Sequence, residues 1–176
     1  MLSLIPHIAR QERHVPRIEQ SVDIAAGQPE VFRFCHDVAR RSNWDEQVAR
    51  VELLTSPPIR QGSLLRFDTS QAGRSVFSWD AEVISFKFPH SSQVRVIDAA
   101  SSSPFAPGSQ LSWQFSSVGG HTRLTWVWDY QPRGLIARIM DKLGGHASTQ
   151  RAIYGSLHKL KALLETGGRL PGTLKE

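Results

Sequence analysis

Up to Tyr130 the apolar residues of this chain recur at every second position, and beyond Gly134 they recur at alternating intervals of four and three. A period of two places side chains on one face of a strand, and intervals of three and four place them on one face of a helix. The chain therefore reads as a run of strands closed by one long helix. Residues 17–24 set Ile18, Val22 and Ile24 on one side. Further strands are expected over 48–54, 63–69, 75–86, 91–98, 109–117 and 121–130. Pro57-Pro58, a Ser/Pro/Gly loop over 101–108 and Gly119-Gly120 separate some of them, the last a good hairpin signal. Short connections favour antiparallel neighbours, because parallel pairs need long crossovers.

Two short helices are expected after the first strand. Pro29 suits a first helical turn, and Val31, Phe32 and Cys35 give that turn an apolar face. Asp37 can cap a second helix over 38–41. In the C-terminal helix, expected over 135–166, Ile139, Leu143, His146, Gln150, Ile153, Leu157, Leu160 and Leu164 share a stripe. A straight helix of that length would span ~48 Å at ~1.5 Å per residue. Gly144-Gly145 is where a bend or break is expected.

These elements predict an α+β domain, a curved antiparallel sheet of about seven strands wrapped around the terminal helix. Phe67, Phe77, Trp79, Trp113, Phe115, Trp126, Trp128 and Tyr130 all occupy the inward alternating set. One helix cannot cover so wide a sheet, so the sheet must curl, and room is left where the two diverge. The pattern alone equally permits a solid core of rings. His146 and Gln150 stand at otherwise apolar positions of the stripe. A buried polar group without a partner costs about 1–3 kcal/mol, so each must meet a partner, water or ligand, unless the stripe drifts and both reach solvent. The expected ligand-binding residues are Phe67, Phe77, Trp79, Trp113, Phe115, Trp126, Trp128, Met140, Leu143, His146, Gln150 and Tyr154. Should the cavity be catalytic, His146 is the candidate acid–base group, with Gln150 orienting a carbonyl and Tyr154 as a further donor.

Composition narrows the alternatives. Of 176 residues, 40% are hydrophobic, enough for a core. No apolar run approaches the ~20 residues of a membrane-spanning helix, and residues 1–8 lack the pattern of a signal peptide. Cys35 is the one cysteine, so no internal disulfide forms and a cytoplasmic location is expected, with Cys35 a packed, inert thiol. The net charge of +5 is dispersed, so no nucleic-acid partner is expected and no stable membrane insertion. The seven histidines are scattered without ligand spacing, and no Gly-rich phosphate loop is present, so no metal and no cofactor is expected. Asp45-Glu46 and Asp80/Glu82 read as solvated carboxylates, and no spacing favours a Ser-His-Asp arrangement. Residues 1–16 read as an N-terminal extension, 17–166 as the domain and 167–176 as a C-terminal tail. A monomer and a homodimer both remain open.

Several stretches, in order, carry a resemblance. Ser21-Val22-Asp23-Ile24-Ala25-Ala26 followed by Pro29-Glu30-Val31-Phe32 resembles the opening strand and first helix of the START-like (SRPBCC) superfamily, in particular its bacterial polyketide cyclase/dehydrase and lipid-transport proteins. Asp37 to Trp44 with the following 48–54 is similar to that family's "D…W…V…VE" segment, and Gly62-Ser63 to its "G-S" strand entry. Gly120-His121-Thr122-Arg123-Leu124-Thr125 is similar to its last hairpin, and 157–164 to its closing "L-x-x-L-K-x-L-L". The resemblance spans 17–166 and implies the helix-grip fold with an internal apolar cavity. It implies binding or carriage of an apolar small molecule (a lipid, isoprenoid, quinone or polyketide), with a polyketide cyclase or dehydratase as the alternative. An interaction module for RNA, a ribosome or an anionic membrane ranks third, on the basic charge alone.

Overall fold

Strand pairing explains how the chain closes on itself. The computed structural model describes residues 15–71 and 74–167; most of the expected N-terminal extension and all but the first residue of the expected tail lie outside them. The strands are β1 (Arg17–Ile24), β2 (Val48–Leu53), β3 (Leu64–Gln71), β4 (Arg74–Lys87), β5 (Ser91–Ala99), β6 (Gln110–Val118) and β7 (His121–Asp129). They form one antiparallel sheet in the order β1-β7-β6-β5-β4-β3-β2. From β2 to β7 each strand lies beside its predecessor, as short connections require. Only β1 departs from that order. The helix α1 (Gln28–Cys35) and a 3₁₀ helix (Val38–Asn43) carry the chain from β1 at one edge to β2 at the other. This is the helix-grip arrangement.

The sheet is curled, and its irregularities contribute. Register shifts interrupt β2/β3 between Val48 and Arg50, β3/β4 between Asp68 and Ser70, and β4/β5 at two places. Such bulges bend a strand and increase its twist. On the convex face ion pairs bridge neighbouring strands: Arg123 with Asp23 at 2.7 Å, Arg66 with Asp80 at 2.8 Å and Arg95 with Glu82 at 2.9 Å. These pairs are largely solvated and contribute little to stability. Asp80 and Glu82 thus sit on the outer face, as their alternation indicated.

The expected continuous helix over 135–166 is divided. α2 (Gly134–Met140) leads into a wide turn, Asp141–Gly145, and α3 (His146–Glu165) follows. The break is at Gly144, whose φ of 132° is one that L side chains rarely adopt. In α3, Ile153, Ser156, Leu157, Leu160 and Leu163 are buried in the curl of the sheet. The helix is tied down along its C-terminal part. Lys161 Nζ donates to the Asp23 carbonyl at 2.5 Å, and the Ala25 N–H donates to Glu165 Oε1 at 2.8 Å. One turn earlier, the Glu46 N–H donates to Ser156 Oγ at 3.0 Å. Toward its N-terminus α3 departs from the sheet, and α2 buries none of its residues.

Candidate ligand cavity

The space left by that departure is a cavity of about 510 Å³. Phe67, Phe77, Trp79, Trp126 and Trp128 line its sheet side, and Phe105, from the loop before β6, joins them. Thr149, Ala152 and Ile153 of α3 and Met140 at the end of α2 line the helix side. The wall is braced by ring contacts. Phe67 stacks on Trp79 at 4.1 Å, and Phe105 stands edge-on to Trp79 at 5.7 Å and to Trp128 at 5.2 Å. Such geometry fixes the rings beyond what area burial alone does.

Of the residues expected to bind a ligand, Phe67, Phe77, Trp79, Trp126, Trp128 and Met140 line this cavity, and the other six do not. Trp113 and Phe115 are buried further along the sheet, against His36 and, for Phe115, Phe32. Leu143 is 76% exposed and Tyr154 53% exposed, the latter packed on His158. Gln150 is exposed, and His146 is half-buried off the wall. The reason is helix phase. At ~100° per residue, Thr149 lies one turn before Ile153 on the inward face, whereas Gln150 is rotated to its flank. The strict stripe of four and three follows Ile153, Leu157 and Leu160 correctly and drifts off the inward face upstream, and the break at Gly144 ends its continuity. Gly145 and Thr149, each one position earlier and too small or polar to stand out in an apolar pattern, hold the places assigned to His146 and Gln150, and Ala152 joins them on the wall.

Asp45 is not the solvated carboxylate its sequence context suggested. It is 2% exposed and paired with Arg41, itself 5% exposed, one turn earlier. Arg41 Nε and Nη2 both approach Asp45 Oδ2, at 2.8 and 2.6 Å. Asp45 Oδ1 accepts from the Gln47 N–H at 3.1 Å and lies 3.5 Å from Ser156 Oγ. The guanidinium sits 4.4, 4.2 and 5.2 Å from the ring centroids of Trp44, Trp113 and Trp126. Burial pulls its pKa down, and Asp45 pushes the other way. Among the described residues, the buried indole N–H groups of Trp44, Trp113 and Trp126 have no acceptor. Arg41, Asp45 and Trp126 line the large cavity, so its apolar wall contains one donor-rich spot. Arg41 and Asp45 are brought together by the turn that ends the 3₁₀ helix, where the Asp45 N–H donates to the Arg41 carbonyl at 3.0 Å.

Beyond Arg41 lies a second cavity of about 40 Å³, lined in part by Cys35, His36, Phe86, Ser92 and Trp113. His36 Nδ1 is 2.7 Å from the Phe32 carbonyl and must donate to it, so Nε2, 2.8 Å from Ser92 Oγ, is the acceptor in the neutral ring. Burial lowers the His36 pKa to about 4, and burial raises that of Cys35 to about 12. Both are therefore neutral core groups near pH 7.

At the mouth of the large cavity Tyr130 links the sheet to the turn after α2. Its hydroxyl donates to Asp141 Oδ1 and lies 3.1 Å from His146 Nδ1. Tyr130 and Asp141 line the cavity, and His146 reaches it through Tyr130. Burial, and next the bond to Asp141, raise the Tyr130 pKa, so the phenol stays protonated. Among the described residues no cluster of His, Cys, Asp and Glu is arranged to hold a metal ion.

A sequence profile described as polyketide cyclase / dehydrase and lipid transport matches residues 15–165. The chain belongs to this family. Solved structures agree on the fold. The Zhui aromatase/cyclase from Streptomyces sp. R1128 superposes with a TM-score of 0.71 at 19% identity, over 92% of this chain and 100% of that one. A protein from Thermus thermophilus gives 0.71 at 15% identity, over 88% and 100%. The major latex-like protein 151 from Panax ginseng gives 0.68 at 12% identity, over 85% and 97%. At these identities the likeness is one of fold alone. No curated sequence matches the chain. Family and fold place it in the START-like (SRPBCC) superfamily, among proteins of hydrophobic-ligand binding or polyketide-cyclase type.

Proposed function

We propose that this protein binds and carries an apolar small molecule, of lipid, isoprenoid, quinone or polyketide type, in the cavity between the sheet and the start of α3. The observation that carries the reading is the ring-lined space of about 510 Å³, within the ~300–1,000 Å³ usual for ligand sites. Arg41 and Trp126 give this ligand one polar requirement. A group placed there meets the Arg41 cation beside the partnerless Trp126 N–H, while Asp45 is already engaged, so the ligand presents a carbonyl, hydroxyl or carboxylate oxygen at that end. The test is uptake of apolar probes, followed by quenching of the fluorescence of Trp79, Trp126 and Trp128, with native mass spectrometry of protein from its own host. A saturable quench and a retained apolar mass are expected. Protein that carries no such mass and takes up no probe would overturn the reading.

A second reading, cyclase-type catalysis, is favoured by the trio at the mouth. A neutral Tyr130 bonded to both Asp141 and His146 can pass a proton between the cavity and the turn. In this reading His146 acts through Tyr130, which touches the substrate. His146→Ala and Tyr130→Phe should then abolish turnover of a poly-β-ketone while probe binding persists. Unchanged turnover removes the trio from the chemistry.

A further inference from the structure

α2 and the turn after it carry an apolar face that none of the described residues covers. Leu135, Ile136, Met140 and Leu143 are 72%, 79%, 60% and 76% exposed, and Ile139 is 48% exposed. At ~100° per residue these five positions fall within one arc of ~140°. On the opposite side, Ala137 and Asp141 face the cavity. The element is fixed at both ends: the Arg133 guanidinium donates to the Ala99 and Ala100 carbonyls, each at 3.1 Å, and Asp141 is held by Tyr130. The exposed face is therefore a built surface. Single exposed aliphatic residues are ordinary, but a contiguous stripe of five marks an interaction site.

The charges beside the stripe identify its partner. Arg138 and Lys142 border one margin of the arc, are exposed, and have no ion-pair partner among the described residues. Between Asp129 and Glu165 the one acidic residue is Asp141, and Tyr130 occupies it. Apolar side chains flanked by long cations suit a bilayer surface, where the former enter the acyl boundary and the latter reach lipid phosphates. A twofold pairing of two copies through this face would bring like charges together. Among the described residues no helix is long and apolar enough to cross a membrane, so the element lies in the plane of the surface.

We infer that α2 and the turn after it dock this protein on an anionic lipid bilayer. Met140 both lines the cavity and stands on the exposed face. Docking therefore brings the cavity mouth against the bilayer, where an apolar ligand can pass without crossing water. The inference concerns the outer face of the helix and stands apart from what the cavity holds.

Flotation of the full chain with vesicles tests it. The protein should float with phosphatidylcholine vesicles containing phosphatidylglycerol, float far less with phosphatidylcholine alone, and lose binding as salt rises. Ile136→Ser combined with Leu143→Ser should reduce partitioning roughly tenfold or more, with an unchanged melting temperature. Arg138→Glu combined with Lys142→Glu should remove the preference for anionic lipid. No flotation with either vesicle, or equal flotation of the serine variant, overturns the inference. So does a concentration-dependent dimer that the serine pair dissolves in protein that never floats, because a second copy then covers the face. Probe uptake without vesicles reports on the cavity alone and can succeed while docking fails.

Discussion

Arg41 and Asp45 face one another beneath three indoles, with two guanidinium nitrogens 2.6 and 2.8 Å from a single carboxylate oxygen. Both charges are almost wholly out of water. Removing one partner leaves the other buried and unpaired, which costs about 3–5 kcal/mol, whereas replacing both with apolar groups can be near neutral. Arg41→Met and Asp45→Asn should each lower stability by that order in urea unfolding. Arg41→Met with Asp45→Leu should recover most of the loss. The double variant should also bind oxygen-bearing probes more weakly while keeping its affinity for hydrocarbon analogues. Equal losses for both probe classes would mean that the pair serves only the fold.

Much of this architecture was legible in the sequence because it rests on repeating patterns. The alternation that set Leu124, Trp126 and Trp128 together in β7 holds on the inner face of the curled sheet, although Val127 on the other face is buried as well. The hairpin at Gly119-Gly120 was equally plain, with φ of 57° and 84° at its two glycines. The site was less legible, because cavities form where elements diverge and pattern rules describe contact. Phe105 lies in a loop with no period. Thr149 and Ala152 face the cavity because they are small enough to leave it room, the opposite of a core signal. The break at Gly144 could be anticipated, but how far it would turn His146 off the wall could not.

His36 should make stability depend on pH. Burial holds its folded pKa near 4, below the ordinary 6.5 of the unfolded chain. The unfolded state therefore takes up a proton that the native state refuses. The contribution of His36 is full above about pH 6.5 and is lost as pH falls toward about 4, reaching on the order of 3 kcal/mol. Urea unfolding across that window should show a steeper decline for wild type than for His36→Gln. Parallel curves would show that another group carries the dependence. Cys35, raised to about 12 by burial, should stay unreactive toward thiol reagents at pH 8 until the protein unfolds.

Two glycines of the C-terminal segment should respond to alanine with opposite signs. At Gly144 nothing lies within 4 Å of an added Cβ, so the cost is the backbone strain of its φ of 132°. That amounts to about 1–2 kcal/mol. Gly155 lies inside α3, where alanine is favoured by up to ~1 kcal/mol. There an added Cβ would meet Glu46 Oε2 at 2.7 Å, the end of an exposed flexible side chain that can swing aside. Thermal unfolding should fall for Gly144→Ala and rise for Gly155→Ala. Two shifts of the same sign would contradict the assignment of the break.

Filling the cavity separates the wall from the stripe that the sequence suggested. Ala152 lines the helix side opposite the sheet-side rings, and a benzyl group there has open space to enter. Ala152→Phe should weaken apolar-probe binding at least ~tenfold, about 1.4 kcal/mol. Its melting temperature should hold or rise, because the added ring buries apolar surface without displacing a packed neighbour. Gln150→Ala and Tyr154→Ala, both directed away from the wall, should leave probe affinity unchanged. The comparison is sharp because all three positions lie within two turns of α3. Weakening by Gln150→Ala equal to that by Ala152→Phe would restore the inward stripe of alternating fours and threes and displace the cavity described above.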